Sequence, residues 1–451
     1  MQYYNIHSHV FTMKNAPQQF LSLYMPEVAA SLIDKLTNTQ AGAYSMAWIL
    51  SKLPSSVARR YASFLKIGKS ADQMSVFRTL ASQYNDDPGF KFVGLTMYME
   101  NTGAMNSQTG FEGQLDGVLD IKRQYPDQFL IFMGIDPRWK GSARELRKTV
   151  ESKFNYRLPV TATRSVFPFV GLKLYPSMGF YAFDNRLTET FEWAADNGVP
   201  VLSHCNYLGG IYNNDKTYLQ IALNPMDPYT GKRYSAPKYQ QSFKLGRWIF
   251  GTNKAENNKL SCSYFLEPSS FASLANYFHS NRQLSEPYDH DDWFLAYRKL
   301  LGNIPVKMRT PLKICLAHYG GDDQILMENN KVPYKAPIGV NPQNWCGQIR
   351  QLMTNYEGIY TDISYALSND KIHDPIINDL ENKVLGDRIL FGTDFFLTER
   401  ELPERKDYTI FRNKAQTHLM TRAPGRTAWD LIASVNTEKF LQSKYYNGNV
   451  I

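Results

Sequence analysis

Two histidines one residue apart, His7-Ser8-His9, stand near the start of the chain. On a β-strand, residues i and i+2 face the same way, so both imidazoles can enter one site. Two neutral imidazoles on one side of a strand make half of a tetrahedral zinc site. Three further polar residues close apolar runs: His204 in VPVLSHCN, His318 in LKICLAHYGG and Asp394 in ILFGTDFF. A lone histidine beside an apolar strand is ordinarily a hydrogen-bonded core residue. Four histidines and an aspartate that all fall where strands end form a pattern no core requires. A carboxylate buried at such a place, as Asp394 would be, needs a cation or hydrogen-bond donors to offset its desolvation. The other four histidines (His279, His290, His373 and His418) fall in expected helices or polar loops and read as ordinary surface or loop residues. Of these, His290 in the acidic stretch DHDD is the one placed to reach a site from an overlying loop.

The elements that must position these side chains are legible as a series. Apolar, β-rich runs cover Tyr3–His9, Lys91–Tyr98, Phe129–Ile135, Phe169–Tyr175, Val199–His204, Leu312–His318, Gly358–Asp362 and Arg388–Thr393. Several are near-continuous apolar runs, the signature of strands buried on both faces. Helical periodicity falls between them, at Gly113–Gln124, at Arg186–Asn197 before Gly198, and at Trp345–Tyr356. Alternating β and α segments predict a parallel sheet with right-handed crossovers, and eight units predict a closed (β/α)8 barrel in the α/β class. Two connections are too long to be simple. Phe11–Phe90 is rich in helix formers and is expected to be a helical insertion (11–90) after the first strand. Cys205–Pro311 contains NPMDPYTGKRYSAPKY and is expected to be a loop-rich insertion (205–311) over the catalytic face. Both leave carboxyl ends of strands, where loops of a barrel build lids and substrate walls.

Composition narrows the setting. The chain has 451 residues, 43% apolar and 14% aromatic, which supplies a core and argues against disorder. No run approaches the ~20 apolar residues of a membrane span. The start, MQYYNIHSHVF, lacks a basic segment followed by an apolar stretch, so the cytoplasm is the expected compartment. The net charge of +8 comes from scattered lysines and arginines without a basic block, which points away from nucleic acid. The four cysteines, Cys205, Cys262, Cys315 and Cys346, form no CxxC pair, so neither a zinc ribbon nor a disulfide framework is expected.

In motif order the chain resembles the amidohydrolase superfamily, in the amidohydrolase-related branch that includes aminocarboxymuconate-semialdehyde decarboxylase. The resemblance is carried by IHSH at the first strand, GLKLYP at the fourth, LSHC at the fifth, LAHYGG at the sixth and FGTDF at the eighth. The tail from Asn436 (NTEKFL) resembles the Asn-centred helix that closes such barrels. The resemblance implies that His7, His9, His204 and Asp394 bind one divalent metal, with Zn²⁺ the expected ion, and that His318 is the catalytic histidine. Lys173 in GLKLYP has two readings under it: a carboxylated bridge between two metals, or a lysine that pairs internally or binds a substrate carboxylate. Arg138 in GIDPR suits a substrate carboxylate through bidentate contacts, or a surface salt bridge. Tyr175 flanks a site motif and is placed either to line the pocket or simply to pack.

Three functions fit these residues. The leading expectation is hydrolysis of an amide, ester or lactone of a small carboxylate-bearing substrate. A metal-bound water, with a pKa lowered to ~7, would attack while His318 and Asp394 move protons. The second is non-oxidative decarboxylation of an unsaturated or aromatic carboxylate at the same site. The third is a barrel that binds a small ligand without chemistry. The substrate in each is a small molecule, and a homo-oligomer stays open.

Overall fold

Each of the eight apolar runs forms a strand. In chain order they are β1 (Tyr4–Ser8), β2 (Lys91–Leu95), β3 (Phe129–Ile135), β4 (Phe169–Leu174), β5 (Val201–Ser203), β6 (Ile314–Leu316), β7 (Ile359–Asp362) and β8 (Ile389–Leu390). Each pairs in parallel with the next in sequence, giving one eight-stranded sheet. Backbone bonds join its ends: Ile6 N–H donates to the Phe391 carbonyl and Asp394 N–H to the His7 carbonyl, both at 2.9 Å. The sheet therefore closes, as expected, into a (β/α)8 barrel. This computed structural model describes residues 1–18, 70–87, 89–100, 106–206, 265–278, 311–332, 344–396 and 404–448.

Helices follow the strands where apolar periodicity and caps coincide. They include α1 (Gln73–Ser82), α2 (Gly110–Gln124), α3 (Ala143–Asn155), α4 (Thr188–Asp196), α5 (Ala272–Tyr277), α6 (Asp322–Asn329), α7 (Trp345–Asn355), α8 (His373–Glu381) and α9 (Glu404–Thr417). Asp72, Ser142 and Asn344 cap α1, α3 and α7 by accepting the third backbone N–H inward. Gly198, just past α4, has φ +68°, the left-handed conformation that favours glycine at a helix end. Most of both expected insertions lies outside the described residues. Within 11–90 the described parts are a short 3-10 turn (Met13–Asn15) and α1, and within 205–311 a turn (Pro268–Phe271) and α5. His279 and His290 also lie outside them. His373, expected at the surface, is buried instead: it opens α8, and its Nε2 lies 3.1 Å from the Leu367 carbonyl.

The interior packs in layers. Lys173 pairs in register with Leu202, Leu202 with Cys315, and Cys315 with Tyr360, so these residues are successive neighbours across four strands. Beneath them Tyr4, Ile6, Val93, Leu95, Leu130, Phe132, Val170 and Leu390 fill the barrel, and Phe440 and Leu441 close it from below. Two irregularities break the alternation. On β1 the pairing steps from Asn5↔Phe92 to Ser8↔Gly94, and on β4 from Phe169↔Ile131 to Gly171↔Phe132. Each inserts one extra residue and re-aims the side chains beyond it. Ile6 and His7 both point inward as a result, and so do Val170 and Lys173.

The C-terminal segment locks the base. It runs through a helical turn (Ala428–Asp430), a π-helical turn (Leu431–Val435) and a last helix, α10 (Asn436–Leu441). The Ile432 carbonyl accepts the Phe391 N–H at 3.1 Å. The buried Asn436 amide donates to the carbonyls of Gly386 at 2.7 Å and Ile389 at 2.9 Å, tying this helix to the start of β8. Replacing Asn436 with alanine strands two buried carbonyls. The expected result is a loss of about 2–4 kcal/mol of unfolding free energy in urea titrations.

Candidate metal centre

Asp394 follows β8 in a left-handed conformation (φ +64°), which turns its carboxylate into the barrel mouth. Its Oδ1 lies 3.3 Å from His7 Nε2 and 3.2 Å from His9 Nε2. All three side chains are buried. Both His7 Nε2 and Asp394 Oδ1 are buried without a hydrogen-bond partner among the described residues. Polar atoms that face each other at this distance, dry and unsatisfied, fit a cation between them. With metal–ligand bonds of about 2.1 Å, two donors about 3.3 Å apart subtend roughly 100° at the ion, near the angle of a tetrahedral or octahedral site. Gly392 permits the approach, because a Cβ there would meet His7 Cβ at 2.7 Å and Ser364 Cβ at 3.2 Å.

The remaining predicted residues gather beside this triad. His318 sits against His7, with ring centroids 4.9 Å apart. Its Nε2 is 2.9 Å from His204 Nδ1, and its Nδ1 is 3.1 Å from the Ser364 carbonyl. Among the described residues the clusters spaced for a metal are His7, His9 and Asp394, and His7, His318 and Asp362; His204 joins the site through its bond to His318. Tyr175 stacks on His204, with centroids 4.7 Å apart at 26°. His318 (φ +68°) and Tyr319 (φ +50°) are left-handed non-glycine residues and lead into Gly320 and Gly321, also at positive φ. Such strain, about 1–3 kcal/mol per residue, collects at functional sites. A Cβ at Gly320 would strike Trp345 Cβ at 2.8 Å, so LAHYGG needs glycine there for space as well as conformation.

Lys173 is fully buried, and its Nζ has no hydrogen-bond partner among the described residues. It stands 6.0 Å from the centre of the Tyr175 ring. Burial pushes its ammonium down to about 8, opposed by the charges of Asp394 and Asp362. Arg138 is committed elsewhere: its Nε donates to Asp136 Oδ1 at 2.7 Å and its Nη1 to the Met178 carbonyl at 3.2 Å.

Two residues that sequence reasoning gave no role complete the site. Asp362, the last residue of β7, places Oδ2 at 3.0 Å from His7 Nδ1 and accepts the backbone N–H of His318 and of Ser364, each at 3.0 Å. Ser364 Oγ lies 3.0 Å from His7 Nδ1 and 2.9 Å from His318 Nδ1, and donates to Asp362 Oδ1. A signal for Asp362 was present. It ends an apolar strand in GIYTDIS, as Asp394 does in ILFGTDFF.

The electrostatics arise from burial and these contacts. Burial alone would raise Asp394, but His7 and His9 hold it well below the usual carboxylate range. Asp362 is likewise held low by His7 against its burial. Burial pushes His318 down to about 4, so its ring is neutral near pH 7. Burial and Lys173 push His7 down, but Asp362 and Asp394 outweigh them and hold it above its ordinary value.

Eight parallel strands closed into a barrel, with imidazoles and carboxylates converging at the carboxyl rim, define a metal-binding (β/α)8 enzyme scaffold. The family described as amidohydrolase matches residues 68–441, and the chain belongs to it. That match begins after β1, so the His7/His9 pair lies outside it and is supplied by this chain's own geometry. No curated protein matches the sequence. Similar solved structures include two of 5-carboxyvanillate decarboxylase from Novosphingobium aromaticivorans, both with manganese and a nitrobenzoic acid ligand. Their identities are 12% and 13%, each with a TM-score of 0.43; 98% of this chain is covered in both, and 97% and 96% of theirs. The Sphingomonas paucimobilis enzyme of the same name gives 12% identity and a TM-score of 0.42, over 98% of this chain and 99% of that one. No helix among the described residues is long and apolar enough to cross a membrane.

The raised His7 pKa sets the pH dependence of metal loading. A proton on His7 competes with the cation, so loading is complete above that pKa and is lost as pH falls through it. Isothermal titration of the metal-free protein with Zn²⁺ or Mn²⁺ should show proton release on binding, and affinity should begin to fall at a pH above the ordinary histidine value near 6.5.

Proposed function

We propose that the protein is a metal-dependent decarboxylase (a lyase) acting on a small unsaturated or aromatic carboxylate. The observation that carries this reading is Lys173, a buried ammonium without a hydrogen-bond partner among the described residues, near enough to Asp394 and Asp362 for their charges to raise its pKa against burial. A buried cation is tolerated where an anion comes to meet it. A substrate carboxylate meets that need; in a hydrolytic substrate it would have to be a group apart from the scissile carbonyl. Tyr175, stacked on His204, offers a flat apolar wall for a planar substrate.

In this reading His7, His9, His204 and Asp394 hold one divalent ion. Imidazole and carboxylate donors suit Zn²⁺, and Mn²⁺ as well. When bound, that ion supplies a Lewis acid that orients the substrate and draws electron density from it. The chain's own residues do the rest. Lys173 fixes the charged end. The bond between the carboxyl carbon and its neighbour breaks, carbon dioxide leaves, and the electron pair left behind takes up a proton. That proton comes from solvent, and Asp394, an ionised carboxylate at the rim, would relay it. His318, with both ring nitrogens engaged, acts through His204.

Hydrolysis is the second reading, favoured by the family's description as amidohydrolase. The same four ligands would then serve an activated water, with Asp394 taking its proton.

A panel of small aromatic and unsaturated carboxylates, assayed beside amides, esters and lactones, separates the two. Carbon dioxide release without ¹⁸O incorporation from labelled water is expected. Incorporation of ¹⁸O into a cleaved amide or lactone, with no carboxylate consumed, would overturn the decarboxylase reading. Lys173→Met should lower kcat/KM for the carboxylate substrate by about a hundredfold or more, because losing one partner of a buried ion pair costs roughly 3–5 kcal/mol. Its thermal stability without substrate should not fall, since the replaced ammonium was itself desolvated.

A further inference from the structure

We infer that Ser364 and Asp362, at the carboxyl end of β7, fix the proton positions of three imidazoles: neutral His7, His204 and His318 each carry their hydrogen on Nδ1, which leaves Nε2 of His7 to the metal site. The inference deepens the metal reading above and rests on it for its purpose. It assigns both residues as positioning groups.

One atom in the network can only accept. The Ser364 carbonyl lies 3.1 Å from His318 Nδ1, so that nitrogen carries the hydrogen. In the neutral, buried ring Nε2 is then a bare electron pair. His204 Nδ1 lies 2.9 Å from it and must donate, which leaves the proton of the His204 ring on Nδ1 and none on Nε2. A second chain of contacts reaches His7 independently. The Asp362 carboxylate accepts only, and its Oδ2 is 3.0 Å from His7 Nδ1, so His7 carries its hydrogen there.

Ser364 Oγ ties the two chains together. Its one hydrogen goes to Asp362 Oδ1. Its lone pairs therefore face His7 Nδ1 at 3.0 Å and His318 Nδ1 at 2.9 Å, and both nitrogens must donate. This is the assignment reached from the carbonyl and the carboxylate. The same Asp362 carboxylate holds the backbone N–H groups of His318 and Ser364, so the strained turn at His318 and the tautomers share one anchor. The arrangement orients metal-binding imidazoles through their outer nitrogens, and loss of such partners typically lowers metal affinity 10- to 100-fold.

Two measurements on the full chain test this. In metal-free protein labelled with ¹⁵N-histidine, long-range ¹H–¹⁵N correlation at mildly alkaline pH separates the two neutral tautomers. His204 and His318 should both carry the proton on Nδ1, and an Nε2-protonated form of either overturns the inference. In Asp362→Asn an oxygen remains for the two backbone donors, while an amide N–H₂ is presented to His7 Nδ1 and drives the proton to Nε2. Zn²⁺ affinity, read by competition with a chromophoric chelator, should fall about 10- to 100-fold with the thermal midpoint of the metal-free protein little changed. Unchanged affinity overturns the role of Asp362. If that variant does not fold, Ser364→Ala decides by the same titration, since it removes the shared Oγ and leaves the carbonyl in place; unchanged affinity there overturns the role of Ser364. A native chain that takes up no Zn²⁺ or Mn²⁺ would sink the metal reading instead, and the tautomers would still stand or fall on the ¹⁵N correlation alone.

Discussion

The structure depends on a desolvated carboxylate placed between two imidazoles. Asp394 is taken out of water at the top of the barrel, where an isolated charge would be costly. It is tolerable because His7 and His9 face its Oδ1 at 3.3 and 3.2 Å and because the three together suit a cation. Everything around them serves to hold that geometry. The seam between β8 and β1 sets the distance, Gly392 leaves room for His7, and the positive φ of Asp394 turns the carboxylate inward.

Around this triad lies a set of buried groups with little freedom. His318 and His204 are bonded in line, Tyr175 covers His204, and Asp362 with Ser364 backs both His7 and His318. Lys173 is the exception, since it is aimed inward without a hydrogen-bond acceptor among the described residues. A site built this way separates two tasks. In the proposed reading the imidazoles and carboxylates back one another and would hold a metal, while the lysine is left to an arriving anion. That division makes decarboxylation of a carboxylate the reading best supported by the residues.

The barrel was legible because its strands are buried on both faces and so stand out as apolar runs, and their order along the chain is their order around the sheet. His7, His9, His204, His318 and Asp394 were legible because a polar residue ending such a run has few other reasons to be there. What sequence did not reveal depends on pairing between strands. The extra residue in β1 and the one in β4 are visible only once β2 and β3 set the register, yet they decide that His7 and Lys173 point inward. Arg138 was legible either as a substrate handle or as half of a salt bridge, and its partner Asp136, two residues before it, becomes evident only from the structure. Asp362 ended a strand like its counterparts but lacked a neighbouring motif to mark it. Ser364 could not be found at all, since half of its contribution comes from a carbonyl that every residue has.

The closure of the barrel also has a temporal meaning. His7 and His9 lie at the end of β1 and the opposing carboxylate lies beyond β8, so the seam joins the first strand of the barrel to the last. During synthesis the emerging histidines have no Asp394 to meet until β8 has left the ribosome. The pocket that these side chains form is therefore assembled late, and a product truncated before β8 would keep its histidines yet lack that pocket.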